Sequence, residues 1–404
     1  MLQYTGKVDI MKRLLKLAGV DALQSFLPVL LWALLPLFTG DPIWAEGYIV
    51  TYPYQFVGLI LYNIMFKSQA KLDMDELGKP GDRTKTGIVL YGLSWIILVT
   101  ISFLSWDCVQ MLFGLGAEHK EVFQMSLSSL GLSYIVMAVV TKKQYEKKSG
   151  LSLTISWYAT EILGCFLLSK LELPLISCLL FMALFCAAAV MRETGQFRFL
   201  FDVRGMKFIT VHLVSSSGMF AVYLFGLRNL CADPAMLAAY NMMSMCSDTQ
   251  WDIVEGAVDK HTTIGLSEGT WKEKNSLIQG LLFGLILLSA SIFCICVCSL
   301  IPVYRDTIDF RMVWMLVAIE DSWFIIDGIA NVMEAWMAFD QPSKIQPFLM
   351  VFVYIIRTSL TILCPSLWAV SIAMACAEGF YVISTTVLYL VKRRGHMKPA
   401  VICS

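Results

Sequence analysis

Apolar residues run along this chain in stretches of about 20 or more, the length a helix needs to cross the hydrocarbon core of a bilayer. Short segments rich in Lys, Asp, Glu and Gly separate them. Twelve such runs fall near 14–38, 43–66, 87–113, 121–141, 150–169, 173–191, 206–227, 234–259, 276–303, 311–338, 346–367 and 369–391. Lipid offers no hydrogen-bond partners to a backbone, so each run is predicted to be a continuous helix. The expected class is an all-α polytopic membrane protein. The eighth run is the least hydropathic, because the stretch CSDTQWDIVEGAVDK carries Asp248, Asp252, Glu255 and Asp259.

The polar segments test that number. Lys and Arg accumulate in cytoplasmic loops; 25 of them fall at the N-terminus, in the segments after even-numbered runs and in the C-terminal tail, and five in the alternate segments. Missing one run before the eighth would scramble this alternation. Twelve helices with both termini cytoplasmic is the consistent reading, and a bacterial cytoplasmic membrane is the expected location. Lys7, Lys12, Arg13 and Lys16 precede a first run that is long for a signal core and lacks a small-residue cleavage site, so that run is expected to remain.

Composition agrees: the 404 residues are 57% hydrophobic and 15% charged, more apolar than a soluble domain. The balance of 31 basic and 31 acidic residues carries no argument for a nucleic-acid partner, and none is expected. The twelve cysteines lie mostly inside apolar runs, as in FCICVCSL, where they read as small buried hydrophobes. The four histidines are too scattered for a metal set, and no phosphate-binding loop or nucleophile elbow occurs, so no enzyme is expected. Nor could any loop house a nucleotide domain.

The polar hinge KSQAKLDMDELGKPGDRTKTG after the second run has a counterpart, TTIGLSEGTWKEKNSLIQG, after the eighth. FLSWDCVQMLFGLGAEHKEVF and IFCICVCSLIPVYRDTIDF match in the same way. Two pseudo-symmetric six-helix bundles follow, residues 1–194 and 195–404, joined by RETGQFRFLFDVRGMK. An even number of helices in each keeps them in one orientation, related by an axis along the membrane normal.

Phe38-Thr39-Gly40 closing the first run, Pro53 in the second, the hinge from Gly78 to Asp82, FGLGAEHKEV from Phe113 to Val122, and MLAAYNMM in the second half together resemble the multidrug and toxic compound extrusion (MATE) exporters. That family sits in a superfamily that also holds lipid-linked oligosaccharide flippases. The resemblance implies ion-coupled export. Many members carry an Asp five residues before the Gly of the first motif; this chain has Leu35 there, so coupling through that acid is not implied. The seventh helix, where some members place a Glu, has His212 and Ser215 to Ser217 instead.

Intramembrane acids carry the candidate chemistry. Spacings of 4, 3 and 4 put Asp248, Asp252, Glu255 and Asp259 on one stripe, and spacings of 7 and 7 put Glu320, Asp327 and Glu334 on one face of the tenth helix, beside Asp321. A carboxylate facing lipid costs about 2.5–3.5 kcal/mol at the helix centre. The set is therefore expected to line water or protein. Asp248, Asp252, Glu255, Glu320, Asp321 and Asp327 are the candidate ion-coupling or substrate-binding residues, with a possible sodium site among Asp252, Glu255 and Asp327. Asp259 and Glu334 are expected at the cytoplasmic rim. Glu161, Glu46, Gln55, His212 and Arg357 complete the candidate cavity, although Arg357 could equally tie one acid into a structural network.

The function expected is a cation-coupled antiporter, driven by sodium or protons, that exports amphipathic, cationic small molecules by alternating access. No cofactor is expected beyond a bound sodium ion or proton, and the protein is read as a monomer. The alternatives are a flippase for a lipid-linked saccharide or lipid, which calls for basic residues in the cavity, and a non-transporting receptor or scaffold.

Overall fold

The computed structural model describes residues 16–17, 19–20, 23, 40, 43–44, 47–113, 116–170, 174–225, 234–339, 345–363 and 367–396. Most of the first expected span, and Glu46, lie outside them. Within the first half the helices are α1 (Gly47–Leu61), α2 (Ser68–Leu77), α3 (Asp82–Leu104), α4 (Trp106–Phe113), α5 (Lys120–Tyr145), α6 (Leu151–Lys170) and α7 (Leu175–Thr194). The second half has α8 (Thr210–Phe225), α9 (Pro234–Ser267), α10 (Glu273–Leu300), α11 (Pro302–Thr307), α12 (Phe310–Glu320), α13 (Phe324–Phe339), α14 (Ile345–Leu363) and α15 (Leu367–His396). No strand occurs among the described residues.

Eleven of the twelve expected spans thus correspond to observed helices. Asp82–Leu104, Ala117–Tyr145, Leu175–Thr194, Asn275–Leu300, Ile345–Leu363 and Ser371–Arg394 are long and apolar enough to cross a membrane. On α3 one face buries Ile88, Tyr91 and Trp95 while Ile96, Ile97, Ile101 and Leu104 are exposed on the other. A helix apolar on both sides belongs in lipid.

Three expectations need correction. The third span breaks at Ser105, where α3 stops and α4 begins. The tenth is interrupted by a 3₁₀ turn, Asp321–Trp323, so Glu320, Asp327 and Glu334 do not share one face of a continuous helix. Glu320 and the adjacent Asp321 are drawn to different neighbours: Ser371 on α15 donates to Glu320 at 2.7 Å, and Ser247 on α9 donates to Asp321. Finally, the segment after the second span is no loop. A π-helical turn, Tyr62–Lys67, carries α1 into α2, and Lys67 and Lys71 are buried helical residues.

The repeat is visible in the backbone. Gly78 ends α2 and Gly269 follows α9, each with φ of 65°, which a side chain would disfavour. After each of these hinges comes a long apolar helix, α3 or α10, and then a short one, α4 or α11. Helices α10 and α13 approach through glycine: a methyl built on Gly328 would lie 2.1 Å from the Gly280 carbonyl oxygen. Small residues permit this close approach where water supplies no hydrophobic drive. In the first half Trp95 fits between Gly58 and Gly131 and stacks on Tyr134.

The segment between the halves is strapped to the first. Gln69 donates to the Asp202 carbonyl at 3.0 Å and accepts from the Asp202 N–H at 2.9 Å. Thr86 Oγ1 accepts from the Leu200 N–H at 3.0 Å. Gly205 lies against the Ser68 carbonyl, where a methyl would come within 2.4 Å.

Candidate functional site

Four helices of the second half enclose a small cavity of about 30 Å³, lined by His212 and Ser215 from α8, Asn331 and Glu334 from α13, Met350, Val353 and Tyr354 from α14, and Glu378 and Tyr381 from α15. That volume suits water or a small ion rather than a large organic molecule. Asp327, Asn331 and Glu334 follow i, i+4, i+7 along α13, so its helical period aims all three to one side. Tyr381 donates its hydroxyl proton to Glu334 Oε2, and Ser215 and Tyr354 are hydrogen-bonded at 2.8 Å.

Asp327 is 1% exposed, its Oδ1 has no hydrogen-bond partner, and its charge is felt by Glu378 and Asp321. The buried Asn331 Nδ2 is also without a partner. Asp327, Glu378 and Asp321 repel one another, and a cation among them would offset that repulsion. Among the described residues no group of three or more His, Cys, Asp and Glu is disposed to hold a metal ion.

Of the expected residues, Glu320, Asp321 and Asp327 are buried together in this half, and His212 lines the cavity. The backbone of Asp248, Asp252 and Glu255 lies in α9, but their side chains are outside the described set, as is a sodium site built on Asp252 and Glu255. Arg357 is buried on α14 and donates from Nη1 to the Met219 sulfur at 2.7 Å. Glu334 is buried against Tyr381, not at a solvated rim.

Two features were missed in the sequence. Glu378 is the one acid in the apolar run of α15, and that isolation was its signal. The other joins the halves. Asp259, expected at the rim, is 2% exposed and receives Lys71 Nζ on Oδ1 at 2.6 Å and Lys67 Nζ on Oδ2 at 3.2 Å. His212 Nε2 stands 3.9 Å from the same Oδ1. Next along the chain, Lys260 donates to Gln144 of the first half at 2.8 Å.

In the first half, Glu161 is 1% exposed on α6. Ser129 and Ser133 of α5 donate to its Oε1, the latter at 3.1 Å, while its Oε2 has no hydrogen-bond partner. Trp157 holds Ser133 with an indole N–H at 2.9 Å. Gln55 is half-buried on α1.

No family model and no curated protein matches this sequence. Solved structures do. A crystal structure of a MATE protein in complex with MaL6 superposes with a TM-score of 0.67 at 10% identity, covering 95% of this chain and 96% of that one. A mutant of the Vibrio cholerae MATE transporter VcmN gives 0.64 at 12% identity over 97% and 98%. An outward-facing multidrug resistance MATE transporter of the MOP superfamily gives 0.64 at 10% over 95% and 96%. Superposition over 95–97% of the chain at these TM-scores leads to one conclusion: this chain has the fold of the MATE transporters.

Proposed function

We propose that the protein is a cation-coupled antiporter that exports amphipathic, cationic small molecules by rocking its two six-helix halves, residues 1–194 and 195–404. The carrying observation is the acid-lined cavity of the second half, with Glu334 and Glu378 in its wall and the buried, incompletely bonded Asp327 beside it. Carboxylates gathered inside a membrane protein are an expensive arrangement, and a cation among them offsets it. An organic cation competing for the same charge would be driven the other way, which is antiport. The proposed orientation has both termini in the cytoplasm, from the distribution of Lys and Arg.

Purified protein in proteoliposomes, given an inward sodium or proton gradient, should expel a fluorescent organic cation. Glu378→Gln and Asp327→Asn should each lower the gradient-driven rate at least about tenfold while leaving the protein in the membrane, since each removes a carboxylate from the cluster proposed to hold the coupling cation. Equal flux with and without a gradient, or no loss in either variant, would refute the reading.

A further inference from the structure

The buried ion cluster joins side chains of the two halves. Lys67 and Lys71 belong to the turn and helix that continue α1, Asp259 to α9 and His212 to α8. Each oxygen of one carboxylate is engaged by a different ammonium, at 2.6 and 3.2 Å, across 188 residues of sequence in the nearer case. Lys260 to Gln144 at 2.8 Å, and Lys147 to Glu268, bridge the halves at the same end of the molecule. These contacts close the end that carries the Lys-rich segments.

We infer that Asp259 is a two-position latch: Lys71 and Lys67 hold it while this end is closed, and His212 takes it when the halves part. Rocking that separates α9 from α2 must pull the carboxylate from both ammonium groups. An abandoned buried charge would make such a state inaccessible. His212 removes that obstacle, because its Nε2 is already 3.9 Å from Oδ1 and moves with Asp259 in the second half. Once released, the lysines' long, flexible side chains can follow water outward. Lys260 lies beside the carboxylate in sequence but points to Gln144, which leaves His212 as the second-half partner aimed at Oδ1. His212 also lines the cavity with Glu334 and Glu378. The latch and the cavity therefore share a side chain. This inference rests on the rocking of the proposed function but not on any particular ion or cargo.

Hydrogen–deuterium exchange of the full-length protein in nanodiscs tests it without any transport measurement. Asp259→Asn should speed exchange of the amides in α2 and in the last three turns of α9 by about tenfold or more, because local opening free energy sets the rate. The exchanged pair, Lys71→Asp with Asp259→Lys, rebuilds the cross-half attraction and should return exchange to within about threefold of the parent. His212→Ala removes the partner that would hold Asp259 once the halves part, and should slow exchange; unchanged exchange would remove His212 from the latch. If Asp259→Asn fails to reach the membrane, Lys67→Gln with Lys71→Gln breaks the same contacts from the other side and must speed exchange equally. The latch is overturned if the single variant exchanges like the parent, if the swap exchanges as fast as the single variant, or if His212→Ala opens this end. Absence of gradient-driven flux in the parent protein, with the variants exchanging as expected, would count against the proposed function alone.

Discussion

Replacing Gly328 by Ala puts a methyl where no soft atom can yield. Its carbon would sit 2.1 Å from the Gly280 carbonyl oxygen and 2.9 Å from the Gly284 nitrogen, both backbone. A carbon–oxygen contact normally settles near about 3.3 Å, so α10 and α13 must separate by roughly 1 Å. A gap of that size forfeits a quarter to a half of the dispersion energy of the atoms along the seam. Overpacking of this kind costs about 1–3 kcal/mol, and the better helix propensity of Ala returns about 0.5–1 kcal/mol. A net loss of about 1–2 kcal/mol remains, a five- to thirtyfold change in the folded-to-unfolded ratio. Equilibrium unfolding in mixed micelles reads it directly. Gly92→Ala is the control, since only Ile135 Cδ1, at 3.8 Å, lies near its new methyl. That variant should gain about 0.5–1 kcal/mol from the helix alone. Gly328→Ala proving as stable as Gly92→Ala would refute the claim that backbone contact holds this helix pair.

Asp73 is 1% exposed and accepts from the Gly81 and Thr84 N–H groups, at 2.8 and 2.9 Å, and from the Thr84 hydroxyl at 2.7 Å. Asp73→Ala strands these donors at the start of α3 and should cost about 2 kcal/mol or more in the same unfolding measurement, with Asp73→Asn intermediate. In the inter-half segment, hydrogen bonds from the Arg204 side chain and N–H hold the Asp202 carboxyl down at about 2. A depressed value gives stability that is complete above the ordinary carboxylate range and lost as pH falls through the folded value. Pepsin cleavage at Phe199 and Phe201, divided by its rate on an unfolded peptide of the same sequence at each pH, should therefore stay constant from about pH 5 to 4 and rise toward pH 2, a dependence that Asp202→Asn removes.

The helices were legible because the bilayer imposes a length and forbids exposed backbone; the runs that became α5, α7 and α14 begin and end within a few residues of their expected limits. Glu320, Asp321 and Asp327 were recognisable as buried for the same reason, whereas Asp259 and Glu334, expected at the rim, were not. Nor were the partners of these acids. Lys67 and Lys71 read as loop charges that mark the cytoplasmic side, and only contact with Asp259, far along the chain, lets them sit buried in helix. The break at Asp321–Trp323 was equally hidden, since Ser247 and Ser371 pull neighbouring carboxylates apart from two other helices. Periodicity speaks for one helix at a time, and these features belong to three.

The straps at Gln69 and Thr86 decide where flexing can occur. Because residues 198–202 are hydrogen-bonded to the first bundle and Gly205 is pressed on its backbone, this stretch travels as a lever arm of that bundle. In the proposed rocking, the second bundle would turn on the bonds between Gly205 and the start of α8 at Thr210, two residues before His212. Its fulcrum would then lie within a single helical turn of the side chain that lines the cavity and faces Asp259.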